Sequence, residues 1–157
     1  MSKICCFSGS RDLSGLNIQE LTQSLNNILE DLIENGGFTD FRTGGARGFD
    51  TLAALCVLKM KRKYPHIKLH LFLPCKNHDR FFSSQEREYY MTTLKYADSC
   101  TYIQEEYSND AMFKRNCALV DGSDICIALL RKLGGGTYQT VRYAKKQKVE
   151  VKNILIP

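Results

Sequence analysis

Apolar runs of strand length alternate with helix-period patterns along the chain. "KICCF" (3–7) has the pattern of a short buried strand. A helix is predicted from about Asn17 to Asn35, because Leu21, Leu25, Ile28, Leu29, Leu32 and Ile33 recur at intervals of three and four. Asn17 can cap it, and Gly36-Gly37 stop it. "TDFRT" (39–43) is a second strand, followed by a helix from about Asp50 to Lys63. "IKLHLFLP" (67–74) is a third strand. Ser83 and Glu86 then form a capping box for a helix to about Ala97. "SCTYI" (99–103) precedes a helix over about 110–120, with Asn109 as its expected cap. "DICIALL" (124–130) is continuously apolar, as expected at a sheet's centre. A helix over about 138–147 and a last strand, "VEVKNILI" (149–156), complete the pattern.

Strict alternation of this kind predicts a parallel sheet covered by helices on both faces, with right-handed crossovers. Six strands are too few for a closed eight-fold barrel. The expected class is therefore α/β: an open, mostly parallel, Rossmann-like sheet of about six strands. No repeat, linker or low-complexity segment divides the chain, so one domain over 1–157 is expected.

Composition narrows the chemistry. The net charge of +5 suits an anionic small-molecule ligand and is too weak alone to indicate nucleic-acid binding, so no nucleic-acid partner is expected. The seven cysteines are odd in number and lack C-x-x-C spacing, so they are expected to be reduced thiols acting as small hydrophobes. No apolar run reaches the length of a membrane span, and "MSKICCFSGSR" lacks the pattern of a signal peptide. The expected location is the cytoplasm. No metal is expected: His66 and His70 lie on or before a strand, where four residues span roughly 13 Å.

In an open sheet of this type, ligands bind beyond the carboxyl ends of the strands. The unusual residues collect there. Ser8, Gly9 and Arg11 follow the first strand. Thr43 closes the second, and Gly44, Gly45, Ala46, Arg47 and Gly48 follow it. Lys76 follows the third. Arg131, Gly134, Gly135, Gly136 and Thr137 follow the fifth. Glycines let backbone N–H groups approach an anion, and a helix start adds unpaired N–H groups with a positive dipole end. Strand-to-helix turns also contain glycine for geometry alone, which is the alternative reading of each turn. Neither matches a dinucleotide or P-loop fingerprint, which disfavours NAD cofactors and P-loop chemistry.

"CCFSGSR", "GGARGFDTLAA", "LPCKN", "MFKRN" and "VDGSDICIALLRKLGGGTYQTVRYAKK" resemble, in order, the YpsA-like proteins of the SLOG superfamily. That superfamily also contains the lonely-guy cytokinin-activating enzymes and the DNA-processing proteins of transformation. The resemblance implies a Rossmann-like fold and a site for a nucleotide or nucleotide derivative, with ADP-ribose-like ligands the expected class. The family's usual G-H-R opening is here Gly9-Ser10-Arg11, and Phe81 and Phe82 stand near the place where a Trp is common. Aligned on the lonely-guy motif P-G-G-x-G-T-x-x-E, this chain has Gly136-Thr137 and then Thr140 in place of the catalytic Glu. A hydroxyl cannot replace a carboxylate in that chemistry.

Lys114, Arg115 and Asn116 of "MFKRN" are further candidates for phosphate and ribose contacts; a solvated basic helix face is the alternative. Asp50 is expected to cap its helix, with a ribose hydroxyl as its alternative partner. The basic residues from Arg142 to Lys152 fit a solvated helix end better than a nucleic-acid patch. Three or four charge-assisted hydrogen bonds give a gross ~5–12 kcal/mol, against an association cost of ~4–15 kcal/mol. Burial of a base or ribose must therefore add to the affinity, and Phe81, Phe82, Tyr107 and Tyr138 are the aromatic candidates. The expected function is a binder of a phosphate-bearing small molecule, a sensor or regulator. A nucleoside-monophosphate N-glycosidase using Asp50, Glu105 or Glu106 is the enzymatic alternative, and a partner-binding role or a homo-oligomer also remains open.

Overall fold

The computed structural model describes residues 2–155. Six strands and five helices alternate among them: β1 (Ile4–Gly9), α1 (Ile18–Glu34), β2 (Asp40–Thr43), α2 (Phe49–Lys63), β3 (Lys68–Leu73), α3 (Ser84–Tyr96), β4 (Ser99–Tyr102), α4 (Ala111–Val120), β5 (Ile125–Leu129), α5 (Gly135–Lys146) and β6 (Glu150–Asn153). The strands form one sheet in the order β4-β3-β2-β1-β5-β6. Every neighbouring pair is parallel. This is the Rossmann-like α/β architecture expected from the alternation.

The pleat explains the two-sided core. Cys5 and Phe7 of β1 point to one face, with Phe41, Leu71 and Ile127, under α1, α2 and Tyr90 of α3. Cys6 points to the other face, with Cys126 against Leu119 and Val120 of α4 and Ala144 of α5. Phe7 and Phe41 stack at 6.3 Å between centroids, and Phe49 of α2 meets Phe7 edge-on. All seven cysteines are free, and five of them are buried.

The expected helix signals act where they were placed. The Asn17 side chain accepts from the Glu20 N–H, and Ser83 and Glu86 complete a capping box. Four details differ. α4 starts from Asp110 rather than Asn109, and neither side chain caps it; the Asp110 carboxylate takes the Ser108 hydroxyl and Lys114 instead. α5 begins at Gly135, three residues before the expected start, so its first turn is made of the glycines themselves. The wholly buried β5 lies beside β1 and one place off the sheet's midline. The expected last strand ends at Asn153, and Ile156 lies outside the described residues.

The strand order positions the site. From β1 the chain runs outward through β2 and β3 to β4, then returns to the opposite side of β1 through α4 and β5. The loops leaving β1 and β5 therefore diverge, and a crevice opens between their carboxyl ends.

Candidate functional site

A cleft of about 660 Å³ occupies that crevice. Its walls are the end of β1 and the loop after it (Ser8 to Asp12), the loop after β5 (Arg131, Lys132) and the start of α5 (Gly134 to Thr137). Ala46 and Asp50 close one side, and Met112, Arg115 and Asn116 of α4 close another.

The start of α5 supplies unpaired donors. Gly134 is its N-cap and offers no side chain to the first-turn N–H groups, so they face the cleft with the positive end of the helix dipole. The Asn116 Nδ2 lies near the same turn: a Cβ on Gly136 would stand 3.8 Å from it. Thr140 turns inward and donates its hydroxyl to the Gly136 carbonyl at 2.8 Å. No carboxylate from α5 lines the cleft.

Arg131 braces the opposite wall. Its Nη1 and Nη2 donate to the carbonyls of Asp12 (2.7 Å) and Ser14 (2.8 Å), which ties the β5 loop to the β1 loop. Arg11 is exposed and lines the cleft, and among the described residues its guanidinium has neither a hydrogen bond nor an ion pair. It is thus a cation at the mouth that no neighbouring group engages.

Behind the cleft sit two buried, opposite charges that make no direct ion pair with each other. Asp50 is 5% exposed and Arg115 4% exposed. Arg115 Nη1 donates to the Gly44 carbonyl, and its Nε donates to Asn116 Oδ1 at 2.8 Å. The Asp50 carboxylate accepts from the Ala46 N–H at 3.4 Å. The turn passes between the two charges, since a Cβ on Gly44 would stand 2.6 Å from Arg115 Nη1 and 2.8 Å from Asp50 Oδ2. Burial pushes the Asp50 carboxyl up to about 6, against the pull of Arg115, the Ala46 N–H and Arg11. Burial likewise lowers Arg115 from its ordinary value, and Asp50 opposes that shift.

The structure therefore divides the expected site residues. Ser8, Gly9, Arg11, Ala46, Asp50, Arg115, Asn116, Arg131 and Gly134 to Thr137 share the cleft. Thr43, Gly44 and Gly45 are buried behind it. Gly48 packs on the Arg11 backbone and starts α2. Asp50 is no helix cap, because the N-cap is Gly48 and the carboxylate turns back onto the preceding turn. Arg47 stands outside, 3.9 Å from Glu86. Lys114 pairs with Asp110 at 3.1 Å, and Lys76 with Glu105 at 3.2 Å; both lie away from the cleft.

The sequence reading missed Met112 and the buried role of Arg115. Its signal was present: Ala111, Arg115 and Leu119 recur at intervals of four and share the buried face of α4.

Residues 7–156 match the family described as YpsA, the YspA SLOG family. The chain is 32% identical over 139 residues to the Uncharacterized SPbeta prophage-derived protein YoqJ of Bacillus subtilis (strain 168), covering 81% of each chain. It is 29% identical over 111 residues to a UPF0398 protein of Bacillus cereus (strain B4264), covering 69% of this chain and 60% of that one. The fold is similar to that of DNA processing protein A from Streptococcus pneumoniae, with a TM-score of 0.67, 15% identity, and coverage of 96% of this chain and 49% of that chain. It is also similar to DNA processing protein A from Helicobacter pylori, described for its single-stranded DNA binding mode, with a TM-score of 0.66, 18% identity, and coverage of 95% and 63%. By the span of that match, and with the fold described above, the chain belongs to the YspA SLOG family.

Proposed function

We propose that the chain binds a phosphate-bearing nucleotide derivative in the cleft between β1 and β5, and works as a ligand-responsive binding protein. The observation that carries this reading is a convergence in one crevice: the uncapped start of α5, the unpaired Arg11 guanidinium, and Arg115 at the cleft's back. Backbone donors and a guanidinium fork suit phosphate oxygens. Family membership supports a nucleotide-related ligand. A nucleic-acid strand presents the same phosphates, and the Helicobacter pylori neighbour is described for binding one. The expectation against nucleic acid thus loses force, and a strand belongs in any ligand panel.

Thermal stabilisation tests the reading. ADP-ribose at a hundred times its dissociation constant is expected to stabilise the folded chain by about 2.7 kcal/mol. Arg11→Ala removes a side chain with no bond of its own, so it should melt like the wild type and lose most of that shift. Equal stabilisation of both proteins would contradict the role given to Arg11.

One observation favours a second reading. Asp50 is a buried carboxyl on the cleft wall with its pKa near 6, in the range of a general acid. Glu105 and Glu106 lie elsewhere, exposed. The two readings part on release of free base from a nucleoside monophosphate, which an N-glycosidase produces and a binding protein does not.

A further inference from the structure

A second, smaller recess of about 260 Å³ adjoins the cleft, and the two share Arg11, Ala46 and Met112 as common wall. Its chemistry differs. Phe81 is 80% exposed and Tyr107 53% exposed. The Arg80 guanidinium lies 5.0 Å from the Phe81 ring centroid and 5.3 Å from that of Tyr107. Arg47 lines the same recess.

The floor is fixed while the rim is open. Phe82 packs against the core and meets His78 and Tyr90 edge-on at 5.7 and 5.6 Å. His78 is bonded through Nε2 to the Gly45 carbonyl at 3.1 Å, which anchors this loop to the turn after β2. Burial lowers His78 from its ordinary value, so the neutral ring is favoured there. Phe81, next in sequence to Phe82, gains little burial from the fold. A large ring left in water beside a guanidinium is a platform for a flat, electron-rich partner. The other aromatic candidate, Tyr138, lines neither recess.

We infer that the recess formed by Phe81, Tyr107 and Arg80 is the nucleobase subsite of the ligand whose phosphate lies in the neighbouring cleft. This rests on the phosphate reading of that cleft. The ring stacks on Phe81 beside Tyr107, the Arg80 plane closes on it, and Arg11 on the shared wall reaches the phosphate side. The ligand class is a nucleotide or nucleoside diphosphate derivative, with base and phosphate in separate recesses.

The chain has no Trp, so Phe81→Trp introduces a single indole whose emission a stacked base quenches. ADP-ribose is expected to quench the F81W variant, and ribose 5-phosphate to bind without quenching. By calorimetry, Phe81→Ala should weaken ADP-ribose about tenfold and leave ribose 5-phosphate unchanged. Unchanged ADP-ribose affinity in the Phe81→Ala and Tyr107→Ala variants overturns the subsite and leaves the phosphate cleft standing. Quenching by adenosine with no binding of ribose 5-phosphate keeps the subsite and overturns the cleft. Binding of oligothymidylate alone, lost in Phe81→Ala, replaces the nucleotide with a nucleic-acid strand and overturns the proposal. Absence of binding by every probe overturns both.

Discussion

Gly48→Ala is expected to destabilise the folded chain by about 2–4 kcal/mol, through backbone strain and overpacking together. For a chain of this size that lowers the melting temperature by roughly 5–15 °C. Gly48 has φ +78°, in the left-handed region, and a Cβ there would run into the backbone carbonyl of Arg11. Backbone cannot swing aside as a side chain can. The same contact joins the loop after β1 to the start of α2, and Phe49 N–H donates to the Ser10 carbonyl at 3.0 Å beside it. Gly37→Ala is a positive-φ comparison without the clash. Gly37 has φ +71° but nothing within 4 Å of its added Cβ, so strain alone acts there, about 1 kcal/mol. Thermal melts of both variants check this, and equal losses would show that the Arg11 contact carries no weight.

Arg115→Met is expected to cost about 3–5 kcal/mol at pH 7.5, because it leaves the buried Asp50 charge without its counter-charge. The loss should shrink to about 1–3 kcal/mol at pH 5, where Asp50 takes up a proton and only hydrogen bonds such as that to the Gly44 carbonyl are missing. The direction follows from linkage. The folded carboxyl sits near 6, above the unfolded value of about 3.9, so the folded chain holds this proton more tightly. The associated stability is full below about pH 4 and is lost as pH rises through 6. Removing Arg115 raises the folded value further and widens that window. Urea unfolding at the two pH values reads the effect, and Arg115→Met combined with Asp50→Asn should recover part of the loss at pH 7.5. An identical loss at both pH values would mean that Asp50 and Arg115 do not interact.

The sheet was legible because each element carries a local cause. The spacing of Leu21, Leu25 and Leu29 fixes the buried stripe of α1, and Ser83 with Glu86 fixes the entry to α3. The crevice was partly legible, since strand ends and glycine turns can be placed from pattern alone. The inside of the site was not. "GGARG" pointed to an anion cradle with Arg47 at its centre, yet the turn is buried around Arg115, and Arg47 faces the outer recess. Which cation turns inward depends on how α4 lies against β1 and β2, a tertiary fact with no signature within "MFKRN" beyond the spacing of four. The early start of α5 escaped notice because glycines are poor helix formers, and here the first turn accepts them.

Phosphate binding in the crevice between β1 and β5 underlies both proposed subsites. Amide-resolved NMR during titration with ADP-ribose tests it most directly. The largest shifts are expected at Gly9 to Asp12 and at Gly134 to Thr137, the residues that line the cleft. Shifts confined to the basic end of α5 around Lys145 and Lys146, with the cleft amides unmoved, would contradict it.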